Sequence, residues 1–322
     1  MVLKPEHKIL CLVVYIFTII TGLPTNMVAL QALIHKMRRK ATPNAILLLN
    51  LTISDLSFLA FLPFKAAETL QGQWSLPLFL CPLSGLFYFS TIYSSTLFLT
   101  AVSVERYLGV AFPLQYKMYR KPVYAIATSC VLWVCSFAHC SIVYVTEFYQ
   151  EENNTATAVC YDNFTKEQLA VLLPFRLELG IVLFCVPFLI TSFCYCSFVR
   201  IIISSPHIHR EKKQRAIGLV LATLSVYIIC FAPYNVSHVI GYIQGENPLW
   251  RDEALLFSTF NASLDPIIFY FSSSAVQHTC RHCFAKVLLC DSLSIMKKVV
   301  NKQTVKLGHP DSTNSQVHGS NL

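Results

Sequence analysis

Three side chains that can carry positive charge stand in apolar stretches of this sequence, where charge is unusual. Arg176 lies in LLPFRLELGIV, His238 lies in PYNVSHVIGY, and Arg251 follows the segment NPLW. Two guanidinium groups and an imidazole suit an anion, because the planar fork of arginine donates two parallel hydrogen bonds to a carboxylate. Tyr234 precedes His238 by four residues and therefore shares its helix face. These residues predict a carboxylate-binding site.

Each of these residues also has an explanation that needs no ligand. Arg176 lies about two turns into its apolar stretch and could extend its guanidinium to the membrane surface, and Arg251 lies nearer to a loop. His238 could be a buried histidine of the bundle. Glu178 does not neutralise Arg176 within the helix, because residues two apart point about 200° from each other. The combination favours a site, since like charges gathered together require an anion.

The elements that must position these residues are membrane-spanning helices. The chain is 54% hydrophobic and 13% charged, with a mean hydropathy of +0.53, whereas a soluble domain carries about 25% charged residues. Stretches close to the length of about 20 residues that spans a bilayer lie at 9–34, 43–66, 80–103, 122–146, 169–203, 216–243 and 253–271. The sequence therefore predicts an all-α membrane protein, a seven-transmembrane helix bundle over residues 9–271.

The basic residues predict how this bundle is oriented. Lys and Arg concentrate in the segments 34–41, 106–121 and 200–215 and in the C-terminal tail, and such loops remain cytoplasmic. We therefore expect a multi-pass protein of the plasma membrane with residues 1–8 outside the cell. The net charge of +8 follows from this sidedness and from nearby anionic lipid. Short, scattered basic loops do not indicate nucleic acid as a partner.

Cysteines and sequons agree with this orientation. Most of the 13 cysteines fall inside the predicted spans, where a thiol behaves as a small hydrophobe. Cys81 and Cys160 both lie on the outer, oxidising side, so we predict a disulfide between them. The same outer loop carries sequons at Asn153 and Asn163, which predict glycosylation. Three cysteines follow the last span and are candidates for palmitoylation: Cys280, Cys283 and Cys290.

Polar residues and prolines recur within the spans in a particular order. From the first span to the seventh they are Asn26, Asp55, Glu105-Arg106-Tyr107, Trp133, Pro187, Pro233 in CFAPYN and Asp265-Pro266 in LDPIIFY. This series resembles the rhodopsin-like (class A) G-protein-coupled receptors, and the resemblance covers about residues 9–285. It implies a short amphipathic eighth helix over 272–290 and a disordered cytoplasmic tail over 291–322.

The resemblance implies two working parts inside the bundle. One is an oxygen-rich cluster that holds Na⁺ as an allosteric ion, or water alone, formed by Asp55, Ser95, Asn261 and Asp265. The other is an activation switch in which Arg106 pairs with Glu105 at rest and turns toward the G protein when the sixth helix moves about its proline. Its residues are Glu105, Arg106, Tyr107, Phe231, Pro233 and Phe269. Phe231 stands where a tryptophan is common, and Phe269 where the tyrosine of DPxxY is expected.

A closer resemblance rests on LLPFRLEL, PYNVSHVIGY, AHCSIVYV, LDPIIFYFSSS and ERYLGVAFPLQYK. These stretches resemble the free fatty acid receptors for short-chain carboxylates, types 2 and 3. The resemblance implies that the carboxylate is held by Arg176, His238 and Arg251, with Tyr234 as a supporting hydroxyl and His139 as a further histidine. Phe89 stands where type 2 has tyrosine and type 3 has phenylalanine. Other stretches favour one type or the other, so both types remain open.

The function expected from these features is activation by acetate, propionate and butyrate. Each methylene of the ligand contributes about 0.8 kcal/mol while apolar room lasts. The resemblance implies coupling to Gi/o, with Gq as the alternative, and arrestin and receptor kinases as further partners. Alternatives within receptors are nucleotides, longer-chain fatty acids and other small carboxylates. A monocarboxylate transporter is disfavoured, because the sequence has no repeated half and an odd number of spans. No nucleophile motif or metal-ligand spacing indicates an enzyme.

Overall fold

The structure, a computed structural model, describes residues 5–77, 79–143, 160 and 164–280. These residues contain seven helices that are long and apolar enough to cross a membrane, as predicted, and no strand. In chain order, from the first span to the seventh, they are Pro5–Arg39, Pro43–Gln71, Leu80–Ala111, Pro122–Cys140, Lys166–Ser204, Arg210–Gln244 and Arg251–Ser272. A short helix, Pro113–Tyr119, connects the third span to the fourth.

The helices do not end where the apolar runs end. The first begins at Pro5 and continues to Arg39, well beyond the apolar run at 9–34, so part of the expected N-terminal segment 1–8 is helical. The fourth ends at Cys140, before the expected residue 146. Apolar sequence marks the part of a helix inside hydrocarbon, whereas backbone hydrogen bonds continue into the polar surface layer until a cap ends them.

Local sequence accounts for several helix ends. Thr42 caps the second span by accepting a hydrogen bond from the amide of Ala45, and Pro43 occupies its first turn. Thr165 and Gln168 form a reciprocal capping box at the start of the fifth span. Such boxes satisfy amides that lack helical partners. The second and sixth spans end at Gly72 and Gly245, both with left-handed backbone, which glycine adopts without a Cβ clash.

The fifth and sixth spans each contain one π-helical turn. These turns cover Ile181–Cys185 and Tyr227–Phe231, and each ends just before a proline, Pro187 or Pro233. A proline removes a backbone hydrogen bond and a π turn widens the helix, so both are places where a helix bends. Arg176 precedes the first π turn and His238 follows the second. Both residues therefore lie on the same side of these bends.

Polar side chains link the spans, while apolar side chains face outward. Exposed apolar residues include Ile20, Val134 and Phe193, each more than 60% exposed. The interior has amide and hydroxyl contacts between helices. Asn26 of the first span donates to the carbonyl of Ala262 at 2.7 Å. Hydrogen bonds of this kind are one of the main forces that join helices in a membrane, where lipid is as apolar as the helices themselves.

The predicted disulfide between Cys81 and Cys160 is present, with Cα atoms 5.5 Å apart. The carboxylate of Glu68 accepts a hydrogen bond from the amide of Cys160 and another, at 2.8 Å, from Lys65. This end of the bundle is called the disulfide end below. The predicted glycosylation residues Asn153 and Asn163 lie outside the described residues.

The opposite end carries the basic segments and is called the basic end. Residues 274–280 are helical. The rest of the predicted eighth helix, Cys283, Cys290 and the tail over 291–322 lie outside the described residues. The first of two compact units, residues 1–277, contains all seven spans, and the second comprises residues 278–322. Cys280 is half-buried.

Candidate ligand-binding site

The two arginines and the histidine are buried in three different helices. Arg176 of the fifth span is 3% exposed, His238 of the sixth is 2% exposed, and Arg251 at the start of the seventh is 7% exposed. Arg176 therefore does not extend its guanidinium to the lipid surface. Both guanidinium groups lie within electrostatic range of His238. The structure brings the three predicted anion ligands into one region at the disulfide end.

The guanidinium of Arg176 is held by segments that flank the spans. Its Nη1 donates to the side-chain oxygen of Asn247 at 2.8 Å. Its carbon lies 5.1 Å from the ring centroid of Phe164, within the range of a cation–π contact. Asn247 lies between the sixth and seventh spans, and Phe164 precedes the fifth. Neither contact was predicted, because residues in loops leave no periodic signal in the sequence.

Arg251 is held mainly by Tyr234. Its Nη2 donates to the Tyr234 hydroxyl at 3.1 Å, and its guanidinium carbon lies 5.4 Å from the centroid of that ring. A weaker contact joins Nη1 to the carboxylate of Asp252 at 3.5 Å. A phenol that accepts one hydrogen bond can also donate one. Tyr234 therefore links the sixth and seventh spans and presents a hydroxyl beside the arginine.

His238 contacts the third span through a tyrosine. Its Nε2 lies 3.1 Å from the hydroxyl of Tyr93, and its ring packs against Tyr234 with centroids 4.4 Å apart. Its Nδ1 is buried and has no hydrogen-bond partner within the described part of the chain. Tyr93 is a polar contact of the site that is not among the predicted ligand-binding residues. Its spacing of four residues from Phe89 places both on one face of the third span and is the signal that could have found it.

These side chains surround a small cavity. It is lined by Phe89, Tyr93, Cys140, Ile142, Val143, Arg176, Leu179, Tyr234 and His238. Its free volume of about 10 Å³ is close to what a single water molecule needs. The ring of Phe89 stacks on Tyr234 at 6.2 Å between centroids. A larger anion would have to displace these aromatic side chains to reach the guanidinium groups.

His139 lies apart from this cavity. Its Nδ1 is 2.8 Å from the carbonyl oxygen of Cys135, and its Nε2 is 3.3 Å from the carboxylate of Glu178. Both His139 and Glu178 are partly exposed. Glu178 thus points away from Arg176, as the helix geometry requires, and toward the fourth span. The lining of the cavity includes neither His139 nor Arg251, but Arg251 contacts that lining through Tyr234.

The predicted sodium or water cluster is buried within the spans. Asp55, Ser95, Asn261 and Asp265 are all at most 1% exposed. The two carboxyl groups lie within electrostatic range of each other, and none of their four oxygens has a hydrogen-bond partner within the described residues. Buried carboxylate, hydroxyl and amide oxygens suit a hard cation. Across the described chain no group of three His, Cys, Asp or Glu side chains is close enough to hold a metal.

Glu105 and Arg106 of the predicted activation switch have separate partners in the structure. Glu105 accepts a hydrogen bond from Tyr116 of the short helix, and Arg106 donates to the carbonyl and, at 2.7 Å, to the hydroxyl of Ser272. No ion pair joins Glu105 to Arg106 among the described residues. Neighbours on a helix point about 100° apart, so each reaches a different element. Burial and the bond to Glu105 raise the pKa of Tyr116, which keeps its phenol protonated.

The remaining residues of the switch are packed at helix contacts. Tyr107 meets Phe193 of the fifth span edge to face, with centroids 5.8 Å apart. Phe231 and Phe269 are fully buried, and Phe231 packs edge to face on Tyr227 at 5.8 Å. Pro233 lies two residues after Phe231, the last residue of the π turn of the sixth span. The aromatic replacements noted in the sequence are thus accommodated as core residues.

Comparisons with known proteins agree with this arrangement. The family model of the 7 transmembrane receptor (rhodopsin family) matches residues 25–269. Free fatty acid receptor 2 of Mus musculus is 45% identical over 320 residues, which is 97% of this chain and 96% of that protein. Free fatty acid receptor 3 of Mus musculus is 48% identical over 267 residues, 82% and 83% of the two chains. Free fatty acid receptor 1 of Macaca fascicularis is 32% identical over 268 residues, 79% and 88%.

These matches answer the question of class. The family consists of G-protein-coupled receptors and not of enzymes, and seven apolar spans make the chain a multi-pass protein of the plasma membrane. The identities to types 2 and 3 of the free fatty acid receptors are similar, so they favour neither type. The chain belongs to the rhodopsin family of seven-transmembrane receptors, among the free fatty acid receptors.

Proposed function

We propose that this receptor is activated by short-chain fatty acids: acetate, propionate and butyrate. One observation carries the proposal. Buried Arg176 and His238 line one small cavity, and buried Arg251 of a third span is hydrogen-bonded to Tyr234 of the same lining. Gathering like charges away from water costs free energy unless an anion offsets it. The names of the relatives, free fatty acid receptors 2 and 3, support a fatty acid as that anion.

In the proposed complex, Arg176 and Arg251 donate to the carboxylate, and His238 and Tyr234 supply further donors. Arginine suits this role because its fork matches the two oxygens of a carboxylate. His139 contacts Glu178 instead of lining the cavity, so we assign it an indirect role at most.

The aromatic lining sets the proposed size limit. Phe89 stacks on Tyr234 over the cavity, which has little free volume. Each methylene of a ligand contributes about 0.8 kcal/mol while apolar room remains, and a longer chain then meets the rings. This favours chains of two to about five carbons. Longer-chain fatty acids are the main alternative, and they would need a larger opening between the spans.

We propose that the disulfide end faces outward and that the basic end faces the cytoplasm. The basic segments support this orientation, and a disulfide suits the oxidising side. The cytoplasmic partner is a G protein of the Gi/o class, with Gq as the alternative, followed by receptor kinases and arrestin. In this proposal Arg106 must leave Ser272 before it can reach the G protein.

We further propose that Na⁺ acts as an allosteric ion at Asp55 and Asp265. The fit rests on four buried carboxylate oxygens that lack protein donors in the described chain. Ser95 of the third span and Asn261 of the seventh are also buried, and their hydroxyl and amide oxygens would complete an oxygen-ligand set. A bound cation would offset the repulsion between the carboxylates.

The decisive test of the ligand is Arg176→Ala. The substitution removes charge-assisted hydrogen bonds worth about 1.5–3 kcal/mol each, so two such bonds correspond to about 100-fold in potency or more. Cells expressing wild type or variant are titrated with acetate, propionate and butyrate. Cyclic AMP and calcium are read with and without pertussis toxin. We expect the variant to reach the cell surface and not to respond.

Lys166→Ala is the matched control, because Lys166 is an exposed cation at the start of the same helix. It should respond as wild type does. An unchanged dose response in Arg176→Ala would refute the carboxylate anchor. Parallel arms with nucleotides and long-chain fatty acids test the alternative ligands, and uptake of radiolabelled acetate tests transport.

A further inference from the structure

The loop between the sixth and seventh spans folds back tightly over the bundle. Gly245 ends the sixth span with left-handed backbone, at a φ of 74°. A Cβ on Gly241 would lie 3.2 Å from both the carbonyl oxygen of Glu246 and the ring of Pro248. The amide of Arg251 donates back to the carbonyl of Pro248 at 3.0 Å. These contacts fix the few residues of the loop against the helix that they leave.

This fold places one loop side chain on the guanidinium of the fifth span. The side-chain oxygen of Asn247 accepts from Nη1 of Arg176 at 2.8 Å. The same guanidinium packs against the ring of Phe164 and lines the cavity. Arg251, which begins the seventh span, lies only four residues after Asn247. A single short loop therefore governs the position of one arginine and leads directly into the other.

Asn247 fixes the guanidinium of Arg176 without neutralising its positive charge. A guanidinium has five N–H donors, and Asn247 accepts from one nitrogen. A carboxylate that binds in the forked mode uses two parallel donors, so a neutral acceptor on one nitrogen can fix the plane of the guanidinium and preserve its charge. A long side chain that is already immobilised loses less entropy when it binds a ligand.

We propose that Asn247 is a positioning residue for the carboxylate: it holds the guanidinium of Arg176 in the orientation that the ligand needs. This inference rests on the proposed function of the site. The loop then contributes to the affinity for the carboxylate ligand and also connects the sixth span to the seventh. An aspartate at position 247 would accept the same hydrogen bond but place a negative charge beside the incoming anion. The neutral amide is therefore the functional feature.

The test compares propionate titrations of four receptors at matched surface abundance: wild type, Asn247→Ala, Asn247→Asp and Gln244→Ala. Gln244 is an exposed amide at the end of the sixth span, so its substitution is the matched control. Freeing one long side chain corresponds to a rise in half-maximal concentration of about two- to tenfold for Asn247→Ala. The maximal response should be unchanged, because only the ligand-binding step is altered.

For Asn247→Asp we expect a larger loss of potency, about tenfold or more, because the added carboxylate repels the carboxylate of the ligand. The melting temperature of each receptor without ligand should match that of wild type, which separates positioning from a structural role. Asn247→Ser provides a second variant, since its oxygen is too short to reach Arg176, and should behave as the alanine variant does.

The outcomes are distinguishable. The inference is overturned if propionate is as potent at Asn247→Ala as at wild type, or more potent. It is also overturned if propionate is at least as potent at Asn247→Asp as at Asn247→Ala. If Arg176→Ala loses the response while Asn247→Ala keeps it, the proposed function stands and the inference alone fails. If the wild-type receptor does not respond to propionate, both fail.

Discussion

Two groups of like charge are buried within the same bundle, and they are satisfied in different ways. At the disulfide end, each of the three basic side chains contacts a neutral polar group: Asn247 for Arg176, Tyr234 for Arg251 and Tyr93 for His238. In the second and seventh spans, Asp55 and Asp265 lie within electrostatic range of each other. None of their four oxygens has a hydrogen-bond partner within the described residues.

The difference indicates how each group is used. The contacts with Asn247, Tyr234 and Tyr93 fix these side chains without adding a buried negative charge, and the carboxylate beside Arg251, that of Asp252, is half exposed. The site is therefore preorganised for an anion that arrives from outside. Two carboxyl groups without donors are costly to bury as a charged pair, so they require a cation or a proton among them. The first group thus suits an anion that binds from outside, and the second needs either a shared proton or the proposed sodium ion.

Removing a cation from the disulfide end should have the largest effect. Arg251→Ala deletes a forked donor to the carboxylate and its bond to Tyr234. We expect potency for propionate to fall about 100-fold or more, since each charge-assisted bond contributes about 1.5–3 kcal/mol. The measurement is a cyclic AMP titration at matched surface abundance.

Two further variants test this result more closely. Arg251→Lys keeps the charge but loses the fork and should fall between wild type and alanine, about tenfold weaker. Asp252→Asn changes the exposed contact of Arg251 and should stay close to wild type. Equal potency of the alanine variant and wild type would remove Arg251 from the site.

The seven spans and the position of the anion site could largely be predicted from two strong features of the sequence. Apolar runs of the right length predict the seven spans, and charged residues such as Arg176 are rare enough in a membrane to indicate a site. Sidedness predicts the pairing of Cys81 with Cys160, which the structure contains. The same helix geometry that removed Glu178 as a partner of Arg176 agrees with its contact to His139.

Contacts of polar residues outside the helical pattern could not be predicted. Asn247 reaches Arg176 from a loop, and Tyr116 reaches Glu105 from a short connecting helix. Neither has a periodicity that relates it to its partner, and each depends on the tertiary path of the chain. Nearby elements offer Glu105 and Arg106 other partners, Tyr116 and Ser272, and their pairing in the resting receptor stays a prediction.

Asp55 and Asp265 should make the potency of the ligand depend on sodium, without changing which chain length is preferred. When NaCl is replaced by a large organic cation at constant ionic strength, we expect the potency of propionate at wild type to change about fivefold or more, the lower range of allosteric coupling. Asp55→Asn should abolish this sodium dependence, because it removes one charge of the pair. The order of acetate, propionate and butyrate should be unchanged. A variant that retains sodium dependence would contradict a resident ion.

A smaller loss should follow from removing one neutral partner at the disulfide end. Tyr93→Phe keeps the ring that lines the cavity but deletes the hydroxyl 3.1 Å from His238. A neutral hydrogen bond contributes about 0.5–1.5 kcal/mol, so we expect potency to fall about threefold with the same maximal response. Tyr88→Phe is the matched control, since the Tyr88 hydroxyl contacts Thr259 instead. A loss as large as that of Arg251→Ala would mean that Tyr93 binds the ligand directly.

The least effect is expected at the pair formed by His139 and Glu178. Glu178→Gln removes the charge 3.3 Å from His139 but leaves the side-chain length intact. Because both side chains are partly exposed and lie outside the cavity lining, the pair contributes at most about 1 kcal/mol. We expect potency for propionate to stay within about twofold of wild type, consistent with a weakly coupled pair. A tenfold loss in the same titration would place Glu178 and His139 within the binding machinery, and the anion site would then include the fourth span.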